Sequence, residues 1–120
     1  MDRFDCISPF DYRYYHNIFD NIQPYLSENA LIEYMAIVEV ALVAGFAEEG
    51  ICAQSIVEEV KDAATKITAE EVYTEEARVK HVGRAVVNCL AKNVSKTAKP
   101  FIHLTATSHD IICTAEAMRY

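Results

Sequence analysis

Three polar segments of the sequence carry side chains whose types and spacing could do chemistry. The first contains His81, and a helical wheel at about 100° per residue places it opposite an apolar stripe of valines and leucine. Arg84, Asn88 and Lys92 share its face. A histidine in this position belongs either to a solvated polar face or to a proton-donating face that looks into a cleft. The pattern alone leaves both interpretations open.

The second segment is HLTATSHD, from His103 to Asp110. Thr107 and Asp110 have the spacing of a capping box, which predicts the start of a helix. The N–H groups at a helix start, together with the hydroxyls of Thr107 and Ser108, would also form a site for a carboxylate or a phosphate. An ordinary helix cap and an anion site use the same atoms, so both remain possible.

The third segment is Asp11-Tyr12-Arg13-Tyr14, near the N-terminus. A guanidinium can bind a phosphate through two N–H groups, and the neighbouring tyrosine rings would pack beside it. The alternative is an exposed arginine in a loop. The sequence shows no P-loop and no G-x-G-x-x-G motif.

Composition predicts one all-α domain. The chain has 120 residues, of which 52% are hydrophobic, with three glycines and three prolines. So few turn-forming residues favour helices over a sheet. The net charge of −7 argues against nucleic acid or an anionic membrane as the main partner, because both need a basic surface.

The cysteines and the longest apolar segment indicate a cytoplasmic protein. The four cysteines form no C-x-x-C pair and are not at zinc-ligand spacing with the histidines, so we expect neither disulfides nor a bound metal. The apolar residues 30–47 are interrupted by Glu33 and Glu39. A membrane span needs about 20 residues with few charges. We therefore predict a buried helix, which a partner domain or subunit helps to cover.

Local signals predict where the helices begin and end. A short helix over Asn17–Ile22 should stop before Pro24. Ser27 should cap a long helix that ends near Glu49, with Gly50 after it. The later predictions are capping boxes at Ser55 and Thr68 with helices near 55–65 and 69–73, a helix over Glu75–Lys96, an irregular segment over 101–106 and a last helix from 107. That helix has no stop signal, which favours a piece of a longer protein.

The three polar segments, in this order, resemble the adenylosuccinate lyases of the fumarase/aspartase superfamily. SPFDYRYY is similar to the family's opening, VKHVGRAVVNCL resembles its His-Asp helix, and PFIHLTATSHDIICTAEAMRY resembles the first signature region, roughly His-x-Gly-x-Thr-Ser-x-Asp. The resemblance implies an all-α N-terminal helical domain over residues 1–106 with a phosphate-binding arm at 9–16. Residues 107–120 would then begin the long central helix bundle.

The resemblance also implies a role for each matching residue. His81 would be the catalytic residue that contacts the substrate. Arg13 and Tyr14 would hold the substrate phosphate with His103 beside it. Thr107 and Ser108 would bind the succinyl carboxylates, and Asp110 would fix the helix start. The substrate would be a succinyl-purine nucleotide, cleaved without metal or cofactor.

Two positions depart from the family pattern. Val82 and Gly83 follow His81 where the family has an aspartate, and Thr105 stands where it has a glycine. The family's general-acid histidine and serine base come from other segments, and its homotetramer combines residues from three subunits. These 120 residues alone should therefore be inactive. The alternatives are another superfamily lyase, such as one acting on argininosuccinate, or a non-catalytic helical interaction module.

Overall fold

The computed structural model describes residues 4–8 and 22–120, and every regular element in these ranges is a helix. The predicted all-α fold class is confirmed. A short 3-10 turn lies between the last two helices, at Lys99–Phe101. The α-helices are α1 (Gln23–Leu26), α2 (Glu28–Glu48), α3 (Gln54–Lys66), α4 (Ala69–Val79), α5 (Val82–Lys92) and α6 (Ser108–Arg119).

The long helix α2 begins and ends at the residues that the sequence predicts. The Ser27 side chain accepts a hydrogen bond from the Ala30 N–H at 3.2 Å, and Glu28 lies in the first turn, where the helix dipole favours a negative charge. At the other end Gly50 has φ +74°, a left-handed conformation that glycine adopts without steric cost. Both ends of α2 are thus fixed by local sequence.

Helix α2 is the centre of the domain. It contacts α1, α3, α4, α5 and α6, and Met35 and Val43 on it are fully buried. Among the described residues α2 is the one helix long and apolar enough to cross a membrane, a property that the core helices of globular domains share. One face, which includes Ile37 and Gly45, remains exposed. The predicted covering partner for that face stays a prediction.

The C-terminal end of α6 is anchored beside the start of α2. The Arg119 side chain is only 7% exposed, and it donates to the Tyr25 carbonyl at 2.6 Å and to Glu116 at 2.9 Å. A guanidinium with several fixed acceptors holds its helix in one orientation. Arg119 therefore sets the direction in which α6 crosses α2.

Residues 4–8 attach to the start of α2 and to α4. The Phe4 ring stacks on Tyr73 with 5.7 Å between centroids, and the Asn29 N–H donates to the Phe4 carbonyl at 2.9 Å. The Tyr73 hydroxyl donates to Glu28. Burial, followed by this contact with the Glu28 carboxylate, raises the pKa of Tyr73. These contacts fix the N-terminal segment against two helices.

The prediction of one continuous helix over Glu75–Lys96 is wrong, because two residues within this range, Lys80 and His81, are not helical. Helix α4 runs from Ala69 across the predicted gap at residue 74 and ends at Val79. Lys80 then turns into the left-handed region with φ 61°, and His81 is extended. The break carries no glycine or proline at these two positions, so no local signal marks it.

The predicted cap at Ser55 is also wrong. Helix α3 begins earlier, at Gln54 with Ala53 as its N-cap, and no side chain caps it. Burial of Ile56, Val57 and Val60 against the core fixes the position of this helix. Thr68 does cap α4, since its side chain accepts from the Glu71 N–H at 3.2 Å.

The short helix predicted at Asn17–Ile22 falls mostly outside the described residues. Ile22 is described, and it is the N-cap of α1. Pro24 lies in the first turn of α1, where the N–H that proline lacks would have no intrahelical partner. Pro24 therefore lies at the start of a helix, and the helix predicted before it stays a prediction.

We predict that Glu75 stabilises the fold through its charge. It accepts from Arg78 at 2.5 Å and from Asn88 of α5 at 2.9 Å. These two bonds, that of Arg78 first, lower the pKa of Glu75 from 4.5 to about 2. Because the folded-state pKa is depressed, the stabilisation is present above about pH 4.5 and is lost as the pH falls toward 2. The Glu75→Gln variant should be less stable at pH 7, and urea unfolding should show this deficit shrinking between pH 5 and 3.

The matched control is Asp62→Asn, which removes an exposed ion pair with Lys66. Exposed pairs contribute little, so this variant should differ little from the parent at any pH. A Glu75→Gln deficit that stays constant with pH would contradict the assignment.

Candidate functional site

The start of α6 is held by its own side chains. Thr107 is the extended N-cap residue, and the Asp110 carboxylate accepts from the Thr107 N–H at 2.8 Å and from its hydroxyl at 3.1 Å. The backbone hydrogen bond, followed by the hydroxyl bond, lowers the pKa of Asp110. Thr107 and Asp110 therefore pair as the sequence predicts, and Asp110 fixes the helix start as an anion.

This pairing decides which groups remain for a ligand. The Thr107 hydroxyl gives its proton to Asp110, so toward a ligand it acts as an acceptor. The first N–H groups of a helix have no partner within the helix, and the positive end of the dipole lies there. An anion at this point would be bound by backbone N–H groups and by the Ser108 hydroxyl.

The break between α4 and α5 brings His81 to the same place. His81 is the N-cap of α5, and its Nδ1 accepts from the Arg84 N–H at 3.0 Å. A neutral imidazole whose Nδ1 is an acceptor carries its proton on Nε2. The His81 Nε2 lies 3.2 Å from the Ser108 Oγ, so it donates a hydrogen bond to that hydroxyl.

Gly83 makes room for this contact. A Cβ at position 83 would lie 3.1 Å from His81 Cε1 and 3.5 Å from Ser108 Cβ. Val82 packs against the hydrophobic core. The chain therefore lacks the family's aspartate after the histidine, but the Arg84 backbone N–H sets the His81 tautomer in its place.

The His103 ring contacts Glu39, a residue of the central helix α2 to which the sequence analysis gave no role at the site. Its Nδ1 lies 2.6 Å from Oε1 of Glu39 on α2. The Glu39 side chain is 1% exposed and that of His103 is 19% exposed. Burial raises the pKa of Glu39, and the hydrogen bond from His103 opposes this. The signal in the sequence was a glutamate in the middle of an apolar helix.

The loop that carries His103 has a left-handed backbone at two residues. His103 has φ 61° and Thr105 has φ 66°. A β-branched residue is unfavourable in this region, whereas glycine is not. Thr105 is the position where the sequence departs from the family's glycine. The departure therefore adds backbone strain to this loop.

The structure brings His81 and Ser108 into contact and pairs Thr107 with Asp110. His103 lies on the loop that leads into α6 and contacts Glu39 of α2. Arg13 and Tyr14 lie outside the described residues. The prediction that His81 shares one helix face with Arg84, Asn88 and Lys92 is wrong, because His81 is the extended N-cap before α5 and Asn88 donates to Glu75 of α4. Among the described residues, no three His, Cys, Asp or Glu side chains could together hold a metal ion.

Comparison with solved structures identifies the class of fold. The chain matches the crystal structure of fumarate lyase from Mesorhizobium sp. BNC1 with a TM-score of 0.71 and 24% identity, over 83% of this chain and 24% of that one. The fold is therefore that of a helical domain which this fumarate lyase also contains. No family model matches the sequence.

In sequence, the chain is similar to adenylosuccinate lyases. It is 34% identical over 113 residues to the adenylosuccinate lyase of Archaeoglobus fulgidus, and 34% identical over 115 residues to that of Methanocaldococcus jannaschii. Each match covers 94% of this chain and 24% of the relative, so the chain spans about a quarter of their length. The predicted resemblance is confirmed.

We predict that Thr105→Gly stabilises the protein. Relief of the left-handed strain should outweigh the entropy that glycine adds to the unfolded chain, for a net gain of about 0.5–1 kcal/mol. Urea unfolding would measure it. The control is Thr97→Gly, at an exposed threonine without a positive φ, which should destabilise. Equal losses of stability in both variants would contradict the assignment of backbone strain to Thr105.

We predict that Gly83→Ala moves the His81 ring without unfolding the domain. The new methyl group would lie 3.1 Å from Cε1 of an exposed side chain, which can rotate away. Stability should change by less than about 1 kcal/mol, since alanine favours helix. Nuclear Overhauser contacts between His81 and Ser108 should disappear. The control, Gly45→Ala, has open space around its Cβ and should leave them intact.

Proposed function

We propose that this chain forms the N-terminal helical domain, with part of the active site, of an adenylosuccinate lyase. The observation that carries the proposal is the hydrogen bond between His81 Nε2 and Ser108 Oγ at the start of α6. Two separate motifs of the sequence meet there, beside the N-terminus of a helix. The sequence similarity to adenylosuccinate lyases supports the same conclusion.

The reaction would remove fumarate from adenylosuccinate and leave AMP. The corresponding succinyl-carboxamide ribotide would give its amide and fumarate in the same way. A base removes a proton from the carbon next to a carboxylate of the succinyl group. The electron pair forms the double bond as the C–N bond breaks, and an acid protonates the departing nitrogen. We propose this β-elimination without a metal or cofactor.

The described residues would bind and polarise the succinyl group. Loss of the proton spreads negative charge onto the adjacent carboxylate. We assign the α6 N–H groups and the Ser108 hydroxyl to this carboxylate, where they would bind the transition state more tightly than the substrate. Thr107 would bind a succinyl carboxylate only when its hydroxyl turns from Asp110 to the ligand, which exchanges one carboxylate acceptor for another. His81 would contact the substrate beside Ser108, and its Nε2 N–H, which donates to the Ser108 hydroxyl in the free chain, would turn to the substrate and orient it.

The remaining roles concern the phosphate and the partner subunits. We assign His103, Arg13 and Tyr14 to the substrate phosphate. The general-acid histidine and the serine base would come from other segments, and the active site would combine three subunits of a homotetramer in the cytoplasm. Without those segments the 120 residues should produce no fumarate.

A chimera tests the proposal. Residues 1–120 would replace the matching segment of the Archaeoglobus fulgidus adenylosuccinate lyase, and release of fumarate from adenylosuccinate would be followed. We expect activity in the chimera and a loss in kcat of about 10²–10³-fold on Ser108→Ala, by analogy with the removal of one donor from an oxyanion site. The control Ser55→Ala, at an exposed serine of α3, should keep full activity. A tetrameric, folded chimera without activity would overturn the proposal.

A further inference from the structure

The buried pair of Glu39 and His103 joins two parts of the chain that are far apart in sequence. Glu39 lies on the buried side of α2, and Met35 and Val43, one turn away in either direction, are fully buried. A lone carboxylate there would be costly, because burial disfavours its charged form. The 2.6 Å contact with the imidazole offsets this cost.

The second carboxylate oxygen of Glu39 argues against a purely structural role for the pair. Oε2 is buried and accepts no hydrogen bond from the described residues. Replacement of buried ion pairs by apolar side chains is often neutral or stabilising. Stability therefore gives little reason for a glutamate at position 39. A role in holding the His103 ring gives a better one.

The backbone around His103 supports this role. The left-handed φ values of His103 and Thr105 are unfavourable, and such conformations persist where surrounding contacts hold them. The bond from Nδ1 to Glu39 attaches the ring of this loop to the central helix. With Nδ1 engaged in the core, Nε2 is the nitrogen left for the partly exposed side of the ring.

We propose that Glu39 is a positioning residue, which holds His103 by Nδ1 so that Nε2 is presented to a phosphate of the nucleotide substrate. The phosphate as ligand rests on the proposed function, whereas the positioning of the ring does not. Glu39 itself would not touch the substrate, and its effect would reach the ligand through the imidazole.

Nitrogen-15 NMR of the His103 ring in the 120-residue chain tests the positioning. In the parent protein we expect a proton on Nδ1 that is protected from exchange and shifted by a hydrogen bond to carboxylate. Glu39→Met should lose this signal and yet melt within a few degrees of the parent, or above it. The exposed Glu33→Gln on the same helix should change neither property. An exchange-labile or absent Nδ1 proton in the parent would overturn the proposal, and so would a Glu39→Met variant that fails to fold.

Titration with AMP tests the ligand. AMP should shift the His103 Nε2 resonance of the parent. Glu39→Met should weaken AMP binding about tenfold, because the imidazole loses the hydrogen bond to a carboxylate that holds it. An Nε2 resonance that AMP does not move would overturn the phosphate assignment. The chimera tests the lyase proposal separately. If the chimera is inactive and the Nδ1 proton of His103 is protected, the proposed activity is refuted and the positioning role of Glu39 still stands.

Discussion

The burial of α2 is the constraint on which the rest of the structure depends. This 21-residue helix is apolar around most of its circumference, so the other helices must cover it on several sides. Each large side chain that they bury contributes roughly 1.5–3 kcal/mol, which is more than a single exposed ion pair provides. Helices α3 to α6 therefore take positions set by α2, and Arg119 adds the orientation of α6. The chemistry at the start of α6 follows from that packing.

Unfavourable features are concentrated near the start of α6. A buried carboxylate at Glu39 and left-handed backbone at His103 and Thr105 all occur in or beneath one loop. Such features tend to collect at functional sites, where a well-packed scaffold can maintain them. By contrast, the two ends of α2 are stabilised by favourable local structure, a serine N-cap at the start and a glycine after the last turn. The domain thus separates a stable core from a strained polar edge.

The features that could be predicted from the sequence are those specified by residues close together in the chain. The caps at Ser27, Thr68 and Thr107 depend on residues three positions away, so their patterns are visible in the sequence. The break at Lys80 and His81 depends on an imidazole acting as an N-cap and on contact with Ser108, which lies 27 residues further along. The pairing of Glu39 with His103 spans 64 residues. The wheel that placed His81 within one long helix assumed continuity, and no local feature contradicted it.

The helix break also changes the chemistry that His81 can perform. Within a continuous helix, both ring nitrogens would face solvent and either could carry the proton. As an N-cap, His81 accepts at Nδ1 from a backbone N–H, so a neutral ring is a donor at Nε2. His103 is the reverse case, because its Nδ1 donates to a carboxylate, so the ring offers an Nε2 N–H to a phosphate only as an imidazolium. The fold thus gives two histidines complementary roles by fixing what each Nδ1 contacts. His81 can polarise a substrate group, and Glu39 holds the His103 ring from the side of the core.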